Sequence, residues 1–198
     1  MTMKPATQKK LLIALVLAGG IAFVISMLLV GAVVIARVFY LDPYIMGQNG
    51  MYPTKPKYSR SISLRKPYNS VLQVKRGDLV VFAQTKERSV LKVIGRVIGL
   101  PGDTVQQVPS GELKVNDKIL PLAKVREVGA LGIFLETNDG VDYEVAYKSE
   151  RSPLNDLPSA VVVGEDELFC VGDNRDNSYD SRAYGPIPFS SVRGKVIW

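Results

Sequence analysis

The sequence predicts a mainly β protein, an antiparallel β domain tethered by a single N-terminal transmembrane helix. Three observations carry that expectation. An uncharged run of 26 residues, Leu11 to Ala36, lies between Lys9-Lys10 and Arg37. Beyond it the pattern changes to short apolar runs punctuated by glycine, proline and asparagine, and no later segment sustains a helical apolar period beyond about two turns. The chain after the run has roughly 160 residues, enough to bury one core.

Each element follows in order. Residues 1–10 form a short basic tail, with Lys4, Lys9 and Lys10; bases on this side favour a cytoplasmic N-terminus and place the rest outside. Residues 11–36 span a bilayer, because a rise of about 1.5 Å per residue carries them past a hydrocarbon core of about 30 Å. A cleaved signal peptide has a shorter apolar region, so the run reads as an uncleaved anchor. Residues 37–198 form the extracytoplasmic domain. Its strongest strand candidates are Leu79–Phe82, Val90–Ile94, Val97–Ile98, Ala160–Val163 and Glu167–Val171, with a delayed strand at Ile62-Ser63-Leu64. Leu113–Leu120 reads as a hairpin turning at Asn116-Asp117, two residue types that tolerate positive φ. Residues 104–159, polar and turn-rich from 121 onwards, read as a variable insertion.

Composition removes whole classes of chemistry. The chain has no histidine and one cysteine, which excludes a Ser-His-Asp triad, a Cys-His dyad, histidine-ligated zinc and an intramolecular disulfide. No metal and no cofactor are expected. Cys170 reads as a small buried hydrophobe. The net charge is +6, and residues 43–77 hold seven bases and no acid. Directly after a membrane anchor, anionic lipid is a nearer source of negative charge than nucleic acid, which is not expected as a partner; a solvated basic face is the plain alternative.

The densest pattern is Gly172-Asp173-Asn174-Arg175-Asp176-Asn177-Ser178-Tyr179-Asp180-Ser181-Arg182, five charges and four small polar side chains in eleven residues. Upstream stand Arg96-Val97-Ile98-Gly99-Leu100-Pro101-Gly102-Asp103 and Arg76-Gly77-Asp78-Leu79-Val80-Val81-Phe82. In order and spacing these resemble three boxes of the bacterial type I signal peptidase family, whose members remove signal peptides with a serine nucleophile and a lysine base. The resemblance implies a signal peptidase-like β domain and covers residues 1–103 and 160–198. It also exposes what is missing. The serine before Met-x-Pro-Thr is Gly50 in Gly50-Met51-Tyr52-Pro53-Thr54, the lysine before the arginine of the second box is Gly95, and the oxyanion-binding serine is Gln48.

A serine attacks only when a base takes its proton, and a lysine serves only when an apolar setting weakens its hold on the proton. Neither side chain is present, and no imidazole exists to replace the lysine. Thr54 and Tyr52 carry hydroxyls near position 50. Lys92, at an odd offset from position 95, is expected on the opposite strand face and so, without a bulge, out of reach of the same cleft. By resemblance, Asp173, Asp176 and Asp180 pair with arginines such as Arg96, Arg175 and Arg182, and Ser178 once oriented the lysine; the group then serves as a polar network around the former site. Tyr44, Ile45, Met46, Met51 and Tyr52 are expected to form an apolar and aromatic rim at the bilayer interface. These readings lead to a catalytically inactive homologue that binds an exported or membrane-anchored protein segment as an assembly factor. The alternatives are an active signal peptidase with an unconventional or engineered-out dyad, and a structural membrane subunit with a vestigial cleft.

Overall fold

The computed structural model describes residues 5–86, 89–149, 157 and 159–198. The chain divides into two compact units, one ending at Leu41 and the other running from Asp42 to Trp198. The first is a helix, α1 (Pro5–Phe39). Within it Leu12–Phe39 is long and apolar enough to cross a membrane, with a mean hydropathy of 2.8. The helix therefore runs past both ends of the uncharged stretch.

The second unit is built almost entirely of antiparallel strands. Their order is β1 (Leu41–Ile45), β2 (Arg60–Arg65), β3 (Leu79–Lys86), β4 (Ser89–Gly99), β5 (Thr104–Gln107), β6 (Leu113–Val115) and β7 (Lys118–Ile119). There follow β8 (Leu122–Val128), β9 (Leu131–Asn138), β10 (Val141–Lys148), β11 (Val161–Val162), β12 (Glu167–Val171), a one-turn helix α2 (Ser181–Tyr184), β13 (Ile187–Pro188) and β14 (Val192–Val196). Three sheets result, in the orders β1-β2-β14-β3-β4-β12-β13, β10-β9-β8 and β11-β5-β6-β7. Strand β14 is thus inserted between β2 and β3, with Lys195 opposite both Leu64 and Val80.

Burial explains the register. Along β12 and the last five residues of β4 both faces are covered: Val97, Leu168 and Cys170 join one core with Val80 and Phe82, while Ile98, Phe169 and Val171 join a second with Val105, Leu113 and Val145. A strand buried on both sides needs an unbroken apolar run, and Leu168-Phe169-Cys170-Val171 supplies one. The β6–β7 turn holds Asn116 and Asp117 at φ of 48° and 65°, the left-handed region in which their short polar side chains are tolerated.

The stretch read as an insertion is integral to the domain. Residues 122–148 form the β8–β9–β10 meander, and Ile133, Tyr143, Val145 and Tyr147 from it are buried. The outer strand β8 is exposed nearly throughout, and its Arg126 pairs with Glu144 of β10. That polar exterior hides the apolar alternation of β10 from a reading of the sequence.

Candidate functional site

The three boxes converge where β12 ends. Gly172 is mandatory there, because a Cβ on it would lie 2.1 Å from Ser178 Oγ and 2.5 Å from the Gly50 carbonyl oxygen. Only a bare backbone admits such an approach. The Asn174 N–H donates to the Gly50 carbonyl at 2.9 Å, and the Asn174 amide donates to the Asn49 carbonyl at 3.1 Å. Residues 125 positions apart are thereby joined across the site.

Beside this junction lies a cleft of about 240 Å³ bordered by Tyr44, Met46, Gln48, Gly50, Met51, Lys92, Ile94, Ser178 and Tyr179, among others. A Cβ on Gly50 would stand 3.5 Å from Ser178 Oγ, so position 50 has room for a small side chain. Position 95 does not. A Cβ on Gly95 would stand 2.9 Å from the Cβ of Cys170 and 3.3 Å from the Phe82 ring, inside the first core. Gln48 is exposed at the cleft edge.

Lys92 corrects the expectation that it cannot reach this cleft: it borders the same space as Gly50, and its ammonium donates to Asp42 at 2.6 Å. Alternation places it on the face opposite position 95, but Leu91, Lys92, Val93 and Ile94 all border the cleft, so both faces of β4 reach it. Thr54 is occupied elsewhere, donating to the Glu144 carbonyl at 3.5 Å and accepting from Arg96 at 3.3 Å. Of the rim residues, Met46 and Met51 are buried and Tyr44 and Tyr52 are half-buried, leaving Ile45 as the outward-facing member. The Tyr44 phenol is pushed up to about 12, chiefly by burial.

The charged residues form three buried groups. Arg96 grips Asp173 with two hydrogen bonds of 2.7 and 2.6 Å, donates to the Gly77 carbonyl at 2.8 Å and stacks on Tyr143 at 4.2 Å. Asp180 binds Arg182 through two bonds of 2.8 Å and accepts from the Gly172 N–H at 2.9 Å. Arg175 departs from the expected pairing. Its partner is Glu136 of β9, through two bonds of 2.6 Å, with the Tyr143 hydroxyl donating to the same carboxylate at 2.8 Å. Burial opposes the Arg175 charge, but the Glu136 carboxylate outweighs it and holds the guanidinium well above its ordinary range. Asp176 accepts from the Lys148 backbone N–H at 2.9 Å. Glu136 went unnoticed in the sequence because it lies 39 residues from Arg175, in the stretch read as an insertion.

Cys170 is fully buried, its N–H donates to Ser181 Oγ at 3.0 Å, and burial followed by the charge of Asp180 pushes its thiol well up. The thiolate is the reactive species. A thiol reagent at mildly alkaline pH should therefore leave the folded protein unlabelled and modify it once it unfolds; prompt labelling of native protein would contradict this burial.

A family model described as signal peptidase, peptidase S26, matches residues 17–198 and so runs through the stretch first read as an insertion. The chain is 34% identical over 163 residues to signal peptidase I T of Bacillus subtilis, covering 82% of this chain and 73% of that protein. To signal peptidase I of Pseudomonas fluorescens it is 29% identical over 195 residues, covering 84% and 67%. The crystal structure of a signal peptidase I from Enterococcus faecalis overlaps with a TM-score of 0.39 at 26% identity, covering 62% of this chain and 96% of that one.

Proposed function

Because the chain belongs to the signal peptidase, peptidase S26, family, we propose that it is a non-hydrolytic member that holds an extended segment of an exported or membrane-anchored protein in its cleft. In this reading the apolar helix anchors it in the bacterial cytoplasmic membrane, with the basic tail inside and the β domain outside. The observation that carries the proposal is the state of the cleft. Its walls and the buried ion pairs behind them are in place, while position 50 has no side chain and position 95 is filled by Cys170 and Phe82. A binding groove needs the walls; hydrolysis needs the two side chains that are missing.

One observation favours the hydrolytic alternative: Lys92 borders the same cleft. Its side chain is 60% exposed and ion-paired with Asp42, however, which is the reverse of the apolar enclosure a lysine base requires. A photocrosslinking residue at Gly50, in cells, tests the proposal. It should capture one defined exported or membrane-anchored protein, and the same residue at the exposed Leu72 should not. An empty cleft at position 50 in the native membrane would favour a purely structural subunit.

A further inference from the structure

The cleft is apolar along most of its wall and has an ion pair at its border. Lys92 of β4 donates to Asp42 of β1 at 2.6 Å. Three strands separate β1 from β4 in the sheet, and both strands border the cleft, so the bond runs from one side of the opening to the other. The side chains are accessible, Lys92 at 60% and Asp42 at 24%. Asp42 also has a second cation within reach, Arg65 of β2 at 3.7 Å.

Resting on the binding reading above, we propose that the cleft takes an extended apolar segment carrying one carboxylate, and that this carboxylate replaces Asp42 on the Lys92 ammonium. An exposed ion pair contributes about 0–1 kcal/mol, so exchanging one carboxylate for another is nearly neutral. Asp42 is not stranded by the exchange, because Arg65 remains beside it. The exchange removes the bond spanning the opening and leaves Lys92 paired. A segment with a neutral side chain at that place must leave the bond intact or break it without replacement, and a basic one meets Lys92 as a like charge. The loop between β1 and β2 adds to the bias, since it carries two further bases, Lys55 and Lys57, and no acid.

The test uses the full chain in neutral detergent and capped nonapeptides of alanine and valine that carry one glutamate, glutamine or lysine at each position in turn, with affinity read by calorimetry. At one position glutamate should bind best and lysine worst, with glutamate up to about fivefold tighter than glutamine, the ratio an exposed pair supports. Lys92→Gln should abolish that preference. Asp42→Asn, which frees the ammonium, should tighten the glutamate peptide by up to about fivefold, a gain that mere damage to the fold cannot produce. Equal affinity of all three peptides at every position would overturn the exchange and leave the binding cleft standing. Absence of binding by any peptide would overturn both.

Discussion

Purified protein mixed in detergent with a preprotein that carries small residues before its cleavage site should release no mature product above background. General-base catalysis alone contributes about a hundredfold to ten-thousandfold, and losing nucleophile and base together removes the covalent route as well. The two glycine positions differ in what they would accept. Gly50→Ser places its Cβ 3.5 Å from Ser178 Oγ, an ordinary contact, so this variant should fold and still not cleave. Gly95→Lys must displace Cys170, whose Cβ would lie only 2.9 Å away, and its chain would start in the core with Phe82. The double variant should accordingly lose stability before it gains activity, at a cost of about 1–3 kcal/mol for overpacking. Gel-based processing assays and melting curves read the two effects separately. Cleavage by the unmodified chain that Lys92→Gln or Thr54→Val abolishes would replace the non-hydrolytic reading with a different dyad.

Arg175→Met should lower the melting temperature by about 10 °C, the largest stability loss expected from any single charged residue here, from a cost of about 3–5 kcal/mol. The substitution leaves the Glu136 carboxylate fully buried with only the Tyr143 hydroxyl as a neutral donor. Replacing both partners, Arg175→Met with Glu136→Leu, removes the stranded charge and should recover most of the loss. Labelling of Cys170 during a thermal ramp measures both variants in detergent without interference from the apolar helix. A fall of less than about 2 °C in the single variant would mean that the pair is not enclosed as the geometry has it.

What could be read from the sequence divides along physical lines. The apolar helix and the Asn116-Asp117 turn are local features, written in consecutive residues, and both are visible without any partner. The packed polar box from Gly172 to Arg182 was legible for a similar reason: so many charges beside an unbroken apolar run must be buried and satisfied. Arg96 with Asp173 and Arg182 with Asp180 could be matched by chemistry within the boxes. Arg175 could not, because its carboxylate comes from β9, where Glu136 looks like any surface acid until the meander folds over it. That meander was hidden although Asp139-Gly140 sits between β9 and β10, with φ of 52° and 77° at the two residues, a strong hairpin signal. The polar outer face of β8 outweighed it. Lys92 is not legible in this way, because strand alternation tells which face a side chain takes but not that the cleft is bordered by residues of both faces of β4.

The place of β14 in the largest sheet has a consequence in time. A chain that emerges N-terminus first makes β2 and β3 long before residues 192–196, and those two strands have no direct ladder with each other, since β14 fills the gap between them. Until β14 arrives, β2 and β3 each present an unpaired edge. Closing the gap joins segments more than a hundred residues apart, a contact of high order that forms slowly. The largest sheet therefore closes only after residues 192–196 have been made, and the half-made domain passes through a stage in which its open edges are exposed to pairing with other chains.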